Sequence, residues 1–216
     1  MTSLIRKAVF LALGSVLIAS AAMAGLPGWS NSTQPTYMKV GATVGGVGDP
    51  QVARAYTIHD ATNFPVFNTR VRLDFSGCTD IYLCASQDAG ITKVGSTLEG
   101  FTDINGLITF KVRGGSTGSV GPFHSAPCMT VTLPDNPAAG AGNALRVAAF
   151  DLNGITGVDA SDLSLWGTDA NLCAGGTYRA RADYNGTGTG CPGSTDASDL
   201  SIWGTDANQI PASCAP

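Results

Sequence analysis

The chain contains little of what most enzymes draw on. Of its 216 residues only 13% are charged, two are histidine, and Glu99 is the single glutamate. That share of charge is about half the usual one. There is no Gly-rich phosphate loop, no H-E-x-x-H and no G-x-S-x-G. His59 lies in a strand-like run and His124 follows Gly121-Pro122-Phe123, and neither stands with a Ser or Cys in a pattern that suggests an activated nucleophile. Two carboxylates would suffice for glycoside hydrolysis. With one Glu, and most Asp placed in turns and loops, a dedicated acid/base pair is not expected, and the chain reads as a non-enzyme. An acidic chain with only 12 Lys and Arg offers no nucleic-acid surface.

Long apolar runs are also missing, apart from one at the N-terminus. Arg6 and Lys7 precede an apolar stretch from Ala8 to about Ala19, followed by Ala22-Met23-Ala24. This is the pattern of a secretory leader, residues 1–24, and it is too short for a membrane span. Cleavage after Ala24 leaves 192 of the 216 residues and takes the net charge from −4 to −6, because Arg6 and Lys7 go with it. The expected location is secreted, extracellular or at the cell surface.

Six cysteines, Cys78, Cys84, Cys128, Cys173, Cys191 and Cys214, then read as disulfide candidates. The short CTDIYLC loop suggests Cys78 with Cys84, and Cys173, Cys191 and Cys214 flank the C-terminal repeats. Fifteen pairings are formally open.

Glycine is abundant, with 28 residues, and Ser and Thr are plentiful. Residues 25–36 (GLPGWSNSTQPT) read as a linker. From 37 to 147 short runs recur: YMKVGATV, ARAYTIHD, TRVRLDFS, LITFKVRGG, CMTVTL and ALRVAAF. In TRVRLDF, Val71, Leu73 and Phe75 alternate with Arg72 and Asp74, as in a strand with one buried face. The pattern predicts a mainly β chain with a β-sandwich. Phe64, Phe67 and Tyr82 are expected to fill its core, though exposed rings there would suit a carbohydrate.

The C-terminal 148–216 carries a near-identical repeat. Residues 159–171 (DASDLSLWGTDAN) and 196–208 (DASDLSIWGTDAN) match at 12 of 13 positions at an offset of 37. Each follows an Asp-x-Asn-Gly. In the first unit Asp151, Asn153, Asp159 and Asp162 stand at positions 1, 3, 9 and 12 of a 12-residue calcium loop, with Ile155 and Gly157 at positions 5 and 7. In the second, Asp183, Asn185 and Thr187 open the loop and Asp196 and Asp199 close it, 17 residues in all. Calcium needs six to eight oxygens, so a loop must return on itself to deliver them. Asp162 and Asp199 would fall in the first turn of a short helix with Leu163 and Trp166, or Leu200 and Trp203, as its apolar stripe; Gly167 and Gly204 would stop it. The two tryptophans are expected between the two helices. Two Ca2+ sites follow, the first weakened because Ile155 offers no side-chain oxygen.

Two resemblances sharpen these readings. Asp60 to Val66, with Thr102, Asp103, Gly106, Thr109 and Phe110, resembles the immunoglobulin-like domain of the invasin and intimin type, over about residues 45–115. The Cys78–Leu98 stretch departs from it. Asp151, Asn153, Val158, Asp159, Asp162 and Leu163, then Asp183, Asn185, Asp196, Asp199 and Leu200, resemble the two halves of a type I dockerin. The departures are Ile155, where the family has Asp, and the five extra residues of the second loop. This resemblance implies that a cohesin-like partner reads Ala160-Ser161 and Ala197-Ser198, in either of two orientations. The expected fold is thus an immunoglobulin-like β-sandwich followed by a small α-helical dockerin-like calcium module. The expected function is anchoring in an extracellular assembly, with a surface adhesin or filament subunit that binds copies of itself, or a polysaccharide-binding module, as alternatives.

Overall fold

The computed structural model describes residues 25–44, 47–118, 121–155, 157–187, 190–191 and 194–208. The leader 1–24 and Cys214 lie outside them. Within them the chain is mainly β, with several small sheets and two helices.

Strands β1 (Pro27–Thr33), β5 (Arg54–Asp60) and β10 (Leu107–Phe110) form one sheet in the order β1-β5-β10. A second sheet runs β12-β6-β9-β8, from Thr130–Thr132, Arg70–Asp74, Thr97–Phe101 and Thr92–Val94. Both turn apolar side chains into one core. Tyr56, Ile58, Ile108 and Phe110 come from the first sheet, and Val71, Leu73, Leu98 and Val131 from the second. The alternation in TRVRLDF is realised: Val71, Leu73 and Phe75 are buried, while Arg72 and Asp74 are half-buried. Tyr56 and Phe110 meet edge to face at 5.8 Å, a geometry worth about 0.5–1.5 kcal/mol beyond burial.

Three two-stranded pairs complete the β part. Strand β2 (Met38–Val40) runs parallel to β13 (Val147–Ala149), β3 (Thr43–Val44) pairs with β4 (Val47–Gly48), and β7 (Ile81–Leu83) with β11 (Gly114–Ser116). Residues 25–36 are therefore no linker. Pro27–Thr33 pairs with β5 as an edge strand, where a proline without an N–H and a run of polar side chains are tolerated.

The expected Cys78–Cys84 bond does not form; Cys78 bonds Cys128, 50 residues away. The extended β7 carries Cys84 off to β11, where its N–H donates to the Arg113 carbonyl, and Gly77 brings the backbone against Cys128. Cys84 is also disulfide-bonded, and Cys173 bonds Cys191. No described cysteine is free. Among the described residues no helix is long and apolar enough to cross a membrane.

Helices α1 (Ala160–Ala174) and α2 (Ala197–Ala207) each start at an aspartate whose side chain caps the helix, with a second aspartate at N3 closing a capping box. Neither ends at its glycine. Gly167 and Gly204 lie inside the helices, at a cost of about 1 kcal/mol relative to Ala, because the next turn is anchored. Asp169 in α1 takes the buried guanidinium of Arg181, and Asp206 in α2 is buried beside Asp49.

The helical segment is joined to the β part without a seam. Phe150, Val158, Tyr184 and Trp203 cluster with Val52 and Ala148, and Trp166 packs against the same group. The tryptophans, one from each helix, thus converge on the Phe150 region. Arg181, fully buried, donates to Asp169 of α1 (2.7 Å), to Ser116 of β11 (3.1 Å) and to the Gly118 carbonyl, and stacks on Phe123.

Two outcomes are expected. Truncating Arg181 to Ala leaves Asp169 with Arg179 (2.7 Å) as its remaining arginine partner and should cost about 3 kcal/mol in urea unfolding; a loss below about 1 kcal/mol would show the pair to be incidental. For Asp206, burial first and the facing Asp49 second hold the carboxyl well above the ordinary range. The folded state then keeps a proton that the unfolded chain releases near pH 4, so this contribution is full below about pH 4 and declines as pH rises. Asp206→Asn supplies a permanent donor and should flatten the fall in melting temperature between about pH 5 and 8. An unchanged slope would refute the raised Asp206 carboxyl.

Candidate metal centre

The two loops are built alike despite their different lengths. Asp151 follows β13, held in place by Phe150, whose ring stacks on Tyr184 at 4.8 Å and whose carbonyl accepts from the Trp203 indole. Tyr184 itself follows Asp183, so one ring pair sets the two loop starts against each other.

Position 1 accepts the same backbone donor in both loops: Gly154 N–H to Asp151 Oδ1 (2.6 Å), and Gly186 N–H to Asp183 Oδ1 (2.8 Å). Both glycines have positive φ, 72° and 65°, which a Cβ would resist. Position 3 repeats too. Asn153 Oδ1 accepts from Ile155 N–H and Asn185 Oδ1 from Thr187 N–H. At position 12, Asp162 Oδ1 accepts from Leu152 and Asn153, and Asp199 Oδ1 from Asn185; the other oxygens accept from Asp159 N–H and Asp196 N–H. The five extra residues of the second loop fall between Thr187 and Asp196, and Cys191 within them is bonded to Cys173 at the end of α1.

Position 9 behaves differently. Asp159 Oδ1 and Asp196 Oδ1 each accept the N–H and the hydroxyl of the serine two residues on, which makes them helix caps. Consistently, among the described residues no three His, Cys, Asp or Glu side chains gather as a metal-binding group. What each loop brings together is two carboxylates and an asparagine amide oxygen. Ile155 is 64% exposed and supplies no side-chain oxygen, and the Thr187 hydroxyl is spent on Asn185. Gly157 is buried at φ 92°.

The electrostatics are those of negative charge without compensation. Asp151 and Asp162 are fully buried, and no Lys or Arg among the described residues pairs with either. Burial, then the charge of Asp162, pushes Asp151 up to about 7. Asp162 and Asp199 are raised by burial as well, whereas the Ser198 hydroxyl and amide hold Asp196 low. The donors are all hard oxygens, with no sulfur or imidazole. Buried carboxylates lacking a counter-charge fit a calcium ion, whose coordination is by oxygen.

Ala160, Ser161, Ala197 and Ser198 are all exposed. The serines have a second duty. Asn153 Nδ2 donates to the Ser161 hydroxyl, which donates on to Asp159, and the Asn185–Ser198–Asp196 chain is the same, with Asn185 Nδ2 at 2.7 Å. Leu163 and Leu200, expected on the apolar stripe, are 39% and 36% exposed beside them.

Sequence reading missed two groups. The Tyr82 hydroxyl donates to Asp151 Oδ2 (3.3 Å), and the Tyr178 hydroxyl to Asp183 Oδ2 (2.7 Å). Both lie outside the repeated residues, so no repeat alignment could find them. Tyr82 is accordingly half-buried, while Phe64 and Phe67 are 67% and 66% exposed, contrary to the core placement expected. Of the histidines, His59 Nδ1 bonds Asn31 and Asn63, and buried His124 bonds Asp80 at 2.5 Å and takes the Val147 N–H on its other nitrogen. Glu99 is engaged by Arg70 and Arg72. Compared with known proteins, the chain matches no family model, no curated protein and no solved structure.

Proposed function

We propose that the chain is a secreted, non-catalytic calcium-binding protein, in which a dockerin-like pair of loops, carried on an immunoglobulin-like β-sandwich, docks to a cohesin-type domain. The observation that carries this reading is the pair of matching loops. Each brings together two buried carboxylates and an asparagine amide oxygen, and each presents the same Ala-Ser-x-Leu face to solvent. Asp151, Asn153 and Asp162 would hold the first ion, and Asp183, Asn185 and Asp199 the second. The ion supplies positive charge at these buried carboxylates, and by binding only the folded state it stabilises the chain.

Calorimetric titration of the full chain should give two calcium ions, and none would refute the reading. At a calcium concentration of about 100 times Kd each site adds ~2.7 kcal/mol, or roughly 5–10 °C in melting temperature. Asp162→Ala or Asp199→Ala should abolish one such increment. Asp159→Ala should lower the melting temperature equally in calcium and in chelator, because its carboxylate caps α1.

For docking, Ala160→Arg and Ala197→Arg together should leave calcium stoichiometry at two and abolish capture of a cohesin domain, while either alone is tolerated. Capture by the double variant would exclude these faces. The exposed Phe64 and Phe67 favour a second reading, a polysaccharide-binding surface on the β part. Retention on insoluble polysaccharide, lost in the Phe64→Ala, Phe67→Ala variant, would establish it.

A further inference from the structure

We infer that Tyr82 and Tyr178 are positioning residues for the two calcium loops: each phenol fixes the Oδ2 carboxylate oxygen of the loop's first aspartate and so orients that ligand. The inference rests on the calcium reading above and goes beyond it, because it makes the first site a composite of the β part and the repeat.

The two contacts coincide in chemistry. In both loops Oδ1 of the first aspartate takes a glycine N–H and Oδ2 takes a phenol, so both oxygens of the carboxylate are tethered. Duplication does not account for this. Tyr178 stands five residues before Asp183, and the residue five before Asp151 is Arg146. The first loop takes its phenol instead from β7, 69 residues upstream. Two unrelated segments have thus been brought to the same oxygen.

The way Tyr82 reaches Asp151 supports a selected arrangement. Its ring runs between two glycines: a Cβ on Gly115 would come within 2.8 Å of the Tyr82 hydroxyl, and one on Gly154 within 3.0 Å of its ring. Either side chain would close the path. The choice of a phenol is also chemically apt. Lys or Arg at the same place would orient the aspartate but cancel the charge that an ion needs, whereas a neutral O–H fixes the carboxylate and leaves its charge available. Partners that orient metal ligands in this way typically contribute 10–100-fold in affinity.

The test is calcium titration of the full chain and of its Tyr82→Phe and Tyr178→Phe variants, each also melted in chelator. Tyr82→Phe should weaken one of the two sites 10–100-fold and spare the other, Tyr178→Phe should do the converse, and the double variant should weaken both. Melting temperatures in chelator should stay near that of the parent, because phenylalanine keeps the ring packing. If the parent binds two ions and the variants bind them as tightly, the positioning role is overturned and the calcium reading stands. If affinity falls only in step with melting in chelator, the tyrosines are merely structural and the inference is overturned as well. A parent chain that binds no calcium removes both.

Discussion

A single buried guanidinium organises the C-terminal half. Arg181 is wholly removed from water, and an ion in that position costs several kcal/mol unless its donors are all engaged. Asp169 takes two of its nitrogens, Ser116 and Gly118 share the third, and Phe123 covers its face. Those partners belong to α1, to β11 and to the chain just beyond β11. Arg181 also lies two residues before Asp183, so the place where the second loop begins is set by the same group. The second repeat has kept the aspartate without the arginine. Asp206 faces Asp49, with Lys39 the nearest contributor of positive charge. One helix is therefore fastened by an ion pair, whereas the other buries its aspartate beside a second carboxylate.

What the sequence disclosed was local. Alternation exposed β6, because Val71, Leu73 and Phe75 all enter one core; the aspartates of the repeat disclosed both helix starts, because a carboxylate three residues from another closes a capping box. Contacts between distant segments left no such trace. Strand β1 is written in turn-forming residues and exists only because β5 offers it an edge. Cys78 has a near neighbour in Cys84, yet the intervening residues extend as β7 and separate them. Gly167 looks like a helix stop until the burial of Asp169 is known. The boundary drawn at 147/148 cuts through β13, whose side chains serve the β core and the loop cluster alike. Tyr82 and Tyr178 could not be connected to the loops at all, since one is far away in sequence and neither recurs in the repeat.

The fidelity of the repeated Ala-Ser takes on a different meaning once the loops are seen. The serine joins positions 3 and 9 through its hydroxyl, so a loop has its own need for it whether or not anything docks. No such need attaches to Ala160 and Ala197, whose methyl groups face solvent. If the repeat preserves a message for a partner, the alanines and the exposed leucines beside them carry it more cleanly than the serines do.

The parallel pairing of β2 with β13 bears on mechanics. Strand β2 lies toward the start of the described chain and β13 leads into its C-terminal part, and Met38, Lys39 and Val40 stand in register with Val147, Ala148 and Ala149. A chain pulled from its two ends draws these strands past one another along their length. The ladder is then loaded in shear, so that its hydrogen bonds must fail together and cannot be unzipped one by one. That arrangement resists tension at the junction between the β part and the loops.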